Sequence, residues 1–302
     1  MERSEARLFC IDASIYIFRA YFSMPDRWFS EQGYSLNAVH GYTRFLVNFI
    51  NEVRPSFLMA AFDESLGSGF RHELYADYKS NRALPDEALA FQLDACRRIT
   101  ELVGIKSYAC ANYEADDYIA SAARLARRDE LPVTVVSRDK DLAQVMSAEQ
   151  DEWWDYAGAR RLRKAEWENQ QQIKVHQVAD WLALMGDSID AIPGVPGIGK
   201  LSATRLLTAY GDIEGIYRNL ELLPASGLRS AKRIQQALRD NREQLLLARQ
   251  LTGLNDRAIK ARSSRAFSYR ITSGGLSDYL QQLGCSPRWS LSIERDLESC
   301  VA

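Results

Sequence analysis

The 302-residue chain is predicted to fold as an α/β domain, a mainly parallel sheet flanked by helices, followed by a smaller helical domain. Three observations predict this. Apolar runs at Leu8–Ile11, Phe57–Phe62 and Val133–Val136 have the length and composition of buried parallel strands. Each is followed by a helical pattern, and such alternation gives right-handed crossovers and a sheet covered on both faces. After about Lys164 the strand signals stop, and helical segments punctuated by Gly and Pro take over.

Leu8–Ile11 opens the sheet, and the pattern over Asn37–Val53 predicts the first long helix. Phe57–Phe62 is the second strand, and Asp86–Val103 and Ala115–Arg128 are helices on either side of a short strand near Ile105–Ala109. Val133–Val136 follows, and Trp153–Tyr156 with Arg161–Arg163 form a hairpin turned at Ala157-Gly158. The first domain is expected to span 1–170 and the helical domain 171–262, through Val178–Met185, Ala203–Ala209 and Ser230–Leu251. Residues 263–302 form an extension, polar with scattered apolar residues, whose composition indicates no role.

Composition narrows the function. Hydrophobic content of 46% and charged content of 26% are those of a soluble globular protein. No apolar run is long enough to span a bilayer and no signal-peptide pattern opens the chain, so a cytoplasmic protein without membrane partners is expected, as a monomer. The 5 cysteines are scattered, with no Cys-x-x-Cys pair, which argues against a disulfide framework or a zinc site. The 3 histidines are isolated. The net charge of -2 does not exclude a nucleic-acid partner, because acids can gather in a metal site while a basic face lies elsewhere.

The acids carry the chemistry. Ligands of an open parallel sheet sit beyond the carboxyl ends of its strands. Asp12 follows the first run, Asp63 the second, and Asp139 and Asp141 the third. Glu114, Asp116 and Asp117 open a helix, and Asp187 and Asp190 lie where another ends. A single Asp after a strand is often a helix N-cap, but capping does not predict an acid at the end of every strand. Converging carboxylates without a matching set of Lys or Arg would repel one another, and hard divalent cations such as Mg²⁺ are the natural remedy. Two such ions roughly 3.5–4 Å apart clamp the attacking and leaving oxygens of a phosphodiester displacement.

The stretch from Ile192 to Ala203 resembles a P-loop, but Leu201 stands where a Ser or Thr should follow Lys200, and the stretch follows a helix rather than a strand. An NTPase is therefore rejected in favour of a helix-hairpin-helix over 193–203. Its Gly194, Gly197, Gly199, Lys200 and Ser202 would present backbone N–H groups to a duplex phosphate. Phe70 to Arg82 interleaves cations, including Arg71, with tyrosines, a composition suited to a single strand. Arg229, Lys232, Arg233, Arg239, Arg242, Arg249, Arg257 and Lys260 form a basic stretch able to grip a duplex backbone. Tyr16, Arg19 and Tyr21 are placed to approach the scissile region.

These motifs together resemble the bacterial 5′-nuclease family, which includes the 5′–3′ exonuclease domain of DNA polymerase I and the flap endonucleases. The similarity runs from about Leu8 to Leu251, and no polymerase domain follows, as expected of a stand-alone member. The resemblance implies a PIN-like or resolvase-like sheet domain and two metal clusters, holding Mg²⁺ or Mn²⁺. Asp12, Asp63, Glu114, Asp116 and Asp117 match the first, and Asp139, Asp141, Asp187 and Asp190 the second. It also implies a helical arch near 66–92 in which Tyr78, Lys79 and Arg82 act on the substrate, and a K⁺ ion at the hairpin, on Val195 and Ile198. Arg138 stands where polymerase-type relatives have Gly, and Ala191 where Asn is frequent. The expected function is a structure-specific 5′ nuclease acting on DNA at single-strand/duplex junctions, in repair or replication. The alternative is a non-catalytic binder of branched DNA, which gives no reason to keep every acid.

Overall fold

A computed structural model describes residues 6–64, 67–82, 84–272 and 274–299. The strands are β1 (Leu8–Asp12), β2 (Phe57–Ala61), β3 (Lys106–Tyr108), β4 (Val133–Val136), β5 (Glu152–Asp155) and β6 (Arg160–Arg163). They pair in the order β3-β2-β1-β4-β5-β6, parallel except for the β5–β6 hairpin. β1 lies between β2 and β4, so the chain direction of the crossovers reverses there. The crevice this opens at the carboxyl ends of β1 and β4 is the place where such sheets take ligands.

Helices α1 (Ala13–Ser23), α2 (Asn37–Val53), α3 (Phe70–Leu74), α4 (Glu87–Leu102) and α5 (Ala115–Arg128) belong to the sheet region. α1, α2 and α4 pack on one face around Phe9, Ile11, Tyr42, Leu46 and Phe49, and α5 covers the other around Leu8, Cys10, Met59 and Ile119. β1 and β4 are buried along their whole length, which is why they read as unbroken apolar runs.

Helix α2 begins without a side-chain cap of its own. The fully buried Gln92 of α4 supplies one: its Oε1 accepts from the amides of Ala38 (2.7 Å) and Val39 (3.2 Å), and its Nε2 donates to Asn37 Oδ1. Gln92→Leu would strand the Val39 amide, Ala38 keeping its bond to Asn37 Oδ1, at a cost of about 1–3 kcal/mol per group left unpaired. A lowered urea midpoint is the expected result, and an unchanged midpoint would show that the cap contributes nothing.

Helices α6 (Lys164–Gln171), α7 (Val178–Met185), α8 (Lys200–Tyr210), α9 (Ile213–Arg218), α10 (Ala231–Asp240) and α11 (Arg242–Thr252) follow. They build a second core around Trp181, Leu206, Leu207, Leu238 and Leu245, which also takes in Trp153 and Trp167. The final helices, α12 (Leu276–Gln282) and α13 (Pro287–Glu298), return to the sheet region. Leu276, Leu280, Ile293 and Leu297 enter the same core as Phe9 and Phe49. The extension thus completes the cover over α2 and α4. Among the described residues no helix is long and apolar enough to cross a membrane.

The segment expected to form a helical arch is mostly not helical. Phe70–Leu74 forms a short helix and residues 87–92 are the start of α4, while turns run from 76 to 81 and residues 65, 66 and 83 lie outside the described residues.

Candidate active site

Seven of the predicted acids meet in one cleft of about 700 Å³. Asp12, Asp63, Asp116, Asp139, Asp141, Asp187 and Asp190 line it, beside Lys79, Arg82 and Arg138. Glu114 lines a narrow recess that adjoins it and shares Asp116, Asp139, Asp141, Asp187 and Asp190. Each acid is placed by a local rule. Asp12 ends β1 and caps α1, its Oδ1 accepting from the Ile15 amide, while Oδ2 accepts from Ser137 Oγ at 2.8 Å. Ser137 Oγ also accepts from the Asp139 amide, so one hydroxyl ties the ends of β1 and β4 together. Asp139 Oδ1 accepts from the Asp141 amide, and Asp187 Oδ1 from the Ile189 amide. Asp187 and Ile192 exchange backbone hydrogen bonds around the 187–192 loop, which brings Asp190 back to the cleft.

The cations correct one expectation. The acids outnumber the cations but are not wholly without them: Lys79 Nζ lies 2.6 Å from Glu114 Oε1 and 3.8 Å from Asp63 Oδ2, and Arg82 pairs with Asp190. Lys79 adopts a left-handed backbone (φ 54°), and its amide donates to the Asp190 carbonyl at 2.9 Å. Asn81 Nδ2 donates to the Ser188 carbonyl. Four consecutive residues, 79–82, therefore lay Lys79 and Arg82 across the acids.

Asp117 and Arg71 are a second correction. Asp117 is wholly buried and does not line the cleft; both its oxygens accept from Arg71, at 2.8 Å each, and from the amides of Glu114 and Asn255. With its lone pairs so committed it is a structural counterion, not a metal ligand. Arg71 is 3% exposed, and it also donates to Glu114 Oε2 and to the carbonyls of Leu251 and Gly253. DNA cannot reach it; it joins the start of α5 to the end of α11.

Tyr78 is likewise buried, its hydroxyl donating to Glu114 Oε2 (3.0 Å) and facing Asp190 Oδ2 (3.4 Å). It orients two acids and is a positioning residue rather than a group that touches substrate. Arg19 is exposed on α1, next to the cleft residue Phe18. Ser14, whose Oγ accepts from the Asp63 amide, was not singled out from the sequence; a hydroxyl two residues after a strand-end Asp is too common to signal a role.

At the glycine hairpin, Pro196 and Gly197 (φ 83°) form a turn closed by Ile198 N to the Val195 carbonyl. Gly199 precedes α8 without a side-chain cap, leaving the first N–H groups of that helix facing outward beside the exposed Lys200. At Gly194 a Cβ would collide with the Gly186 amide and the Met185 carbonyl, so close packing against the end of α7 requires glycine there. Val195 and Ile198 bury their side chains in the second core. Lys200 Nζ lies 5.2 Å over the Trp181 ring, and Trp181 lines the cleft, so hairpin and acids are neighbours. Arg233 of the basic stretch sits beside Gly197. Arg239 and Arg249 instead pair with Glu221 and Asp180.

A family model described as the N-terminal resolvase-like domain of 5′-3′ exonucleases matches residues 7–178, and one described as their C-terminal SAM fold matches residues 173–270. The chain belongs to the 5′-3′ exonuclease family. A 5′-3′ exonuclease of Aquifex aeolicus is 33% identical over 221 residues, 71% of this chain and 73% of that protein. DNA polymerase I of Streptococcus pneumoniae is 33% identical over 265 residues, 83% of this chain; the match spans only 29% of the polymerase. Among solved structures, a 5′-exonuclease of phage T5 with bound zinc superposes with a TM-score of 0.66 at 18% identity, covering 98% of this chain and 100% of that one. The catalytic core of Rad2 in complex with a DNA substrate gives 0.64 at 13%, covering 97% and 92%. These last two establish the fold.

Both departures from the 5′-3′ exonuclease pattern have a visible setting. Arg138 is half exposed at the cleft rim, 3.6 Å from Asp155. Ala191 takes a left-handed backbone (φ 55°), a conformation that Asn and Gly adopt more readily.

The charge balance shows in the acidities. Burial, reinforced by Asp139 and Asp63, pushes Asp12 up to about 7 despite the Ser137 hydrogen bond. Burial and the neighbouring Asp139, Asp187 and Asp190 push Asp141 up to about 8. Asp116 and Asp139 are raised for the same reasons, burial first and then neighbouring acids. A carboxyl raised above its unfolded value favours the native state while protonated, so the metal-free protein should lose stability as pH climbs from about 4 through 8. A divalent cation removes that penalty. Mg²⁺ is therefore expected to raise Tm more at pH 8 than at pH 5, and to release protons on binding near neutrality. Equal shifts at the two pH values, in scanning calorimetry, would contradict this.

Proposed function

We propose that the chain is a structure-specific 5′ nuclease, cutting DNA phosphodiesters at single-strand/duplex junctions such as 5′ flaps and nicks. The observation that carries this reading is the cleft itself: acids from the ends of β1, β2 and β4, from α5 and from the 187–190 loop, with Lys79 and Arg82 laid across them. The donor set fits hard divalent ions such as Mg²⁺ or Mn²⁺. It is all carboxylate, and its raised acidities mark negative charge in excess of the local cations.

Asp12, Asp63, Glu114 and Asp116 would hold one ion and Asp139, Asp141, Asp187 and Asp190 a second. When bound, the ions acidify the attacking water and neutralise the departing oxygen. Lys79 and Arg82 direct their cationic ends toward the phosphate and balance charge developing on it. Tyr78 keeps Glu114 and Asp190 oriented, and Ser137 keeps Asp12 and Asp139 in register. The exposed start of α8, with Gly197, Gly199, Lys200 and Ser202, receives the duplex backbone, and a K⁺ ion on the Val195 and Ile198 carbonyls would support it. Arg19, exposed on α1 beside the cleft residue Phe18, would contact the strand near the scissile bond. The protein acts as a cytoplasmic monomer.

The test is a duplex with a 5′-labelled flap, incubated with Mg²⁺, with EDTA, and with an Asp139→Asn variant. A short labelled product should form only with Mg²⁺ and wild-type protein. Tight binding without Mg²⁺-dependent cleavage would favour a branched-DNA binder instead.

A further inference from the structure

Behind the carboxylate cleft lies a second, basic cavity of about 310 Å³. Gln144 and Leu254 line both this cavity and the recess that holds Glu114, so the two are separated by a single layer of side chains. Its charged wall is Arg124 and Arg127 of α5, Arg249 of α11 and His176, with Asp256 as the one acid. It has the reverse charge of the cleft in front.

The arginines are held in a particular way. Arg124 Nε donates to the Asp256 carbonyl at 2.8 Å, Arg127 Nε to Ser147 Oγ at 2.6 Å, and Arg249 Nε to Asp180 Oδ1. Arg127 also donates from Nη2 to the Val145 carbonyl. Among the described residues, the Nη atoms of Arg124 and Arg249 bond no acceptor, and these side chains keep 35% and 40% exposure. His176 is exposed and likewise makes no hydrogen bond among those residues. Arg124 and Arg249 are ion-paired through Nε with Asp256 and Asp180; a guanidinium so fixed, with its Nη groups unbonded, loses little entropy on binding an oxyanion, and its planar fork matches phosphate.

We propose that this cavity is a binding site for a nucleoside 5′-monophosphate, its phosphate held by Arg124, Arg249 and His176. Its volume sits at the small end of ligand pockets, which run about 300–1,000 Å³, and so suits a small phosphate monoester. The cavity is wired to the cleft. The 3₁₀ turn Asp141–Val145 carries the cleft acid Asp141 at one end and Gln144 and Val145 of the cavity wall at the other. Occupancy therefore bears on the position of Asp141. The inference rests on the shape and charge of the cavity, not on the nuclease reading, and its test involves no cleavage.

The test is calorimetric titration of the full chain in EDTA, so that no divalent ion can hold nucleotide in the cleft. The probes are deoxyadenosine 5′-monophosphate, adenosine, inorganic phosphate and a single-stranded 12-mer lacking a terminal phosphate. The variants are Arg124→Gln and His176→Glu; the second alters an exposed side chain and leaves the fold unburdened. The monophosphate should bind wild type at least tenfold tighter than adenosine does, and each variant should weaken it by at least fivefold. Inorganic phosphate should compete with it. The proposal is overturned if the monophosphate binds no better than adenosine, if His176→Glu leaves its affinity unchanged, or if only the 12-mer binds in a way the variants weaken.

Discussion

Asp116→Asn should reduce Mg²⁺-dependent cleavage of a 5′-flap duplex on the order of 10²–10³-fold, the scale of losing one preorganised electrostatic partner of the transition state. The urea midpoint of the metal-free protein should stay level or rise, because Asp116 is a buried acid facing Asp139, Asp12 and Glu114, and neutralising it relieves repulsion. The adjacent Asp117→Asn should behave in the opposite way. Asp117 is removed from the cleft and bonded to Arg71, so its loss acts first on stability. Two neighbouring acids of one helix are thereby separated into a reacting and a structural role. A stable, inactive Asp117→Asn beside an active Asp116→Asn would show that the assignment is inverted.

Arg71→Ala should carry the largest stability cost of any single change discussed for this chain. Its guanidinium is buried against Asp117, Glu114 and the carbonyls of Leu251 and Gly253, so truncation leaves Asp117 an uncompensated buried charge. Breaking a buried pair from one side costs about 3–5 kcal/mol. Arg71→Lys recovers only part of it, since an ammonium cannot engage both Asp117 oxygens in the same planar fork. Binding of a folded, uncharged Arg71→Gln protein to a flap duplex should keep the wild-type salt slope. A slope lowered by about one would mean that this arginine does contact phosphate.

Much of the fold was legible because it is local. Asn37–Val53, Ala115–Arg128 and Val133–Val136 carry uninterrupted periodicity or apolar runs, and they form elements over those residues. The acids at strand ends were legible for the same reason, since the sheet topology alone brings Asp12 and Asp139 together. What escaped the sequence is which way individual side chains point. Arg71, Lys79 and Arg82 lie in one thirteen-residue segment of mixed cations and tyrosines. A five-residue helix aims Arg71 inward, and a left-handed turn at Lys79 sets the other two over the acids. Neither feature has enough length to leave a period. Glu114 and Asp117 read as a shared helical face, but Asp117 in fact turns back to the Glu114 amide, a capping contact that takes it out of the cleft. In the extension, Leu276, Leu280 and Leu283 read as scattered apolar residues because their partner, the α2–α4 surface, lies far away in sequence.

On the proposed reading, one cleft seats two divalent ions between acids from the sheet ends and acids from the 187–190 loop. Anomalous diffraction from crystals soaked in Mn²⁺ tests it most directly. Two peaks are expected in the cleft, one among Asp12, Asp63, Glu114 and Asp116 and one among Asp139, Asp141, Asp187 and Asp190, with Lys79 moved off Glu114. No peak in the cleft, or Mn²⁺ bound only elsewhere while Lys79 stays on Glu114, would contradict the account.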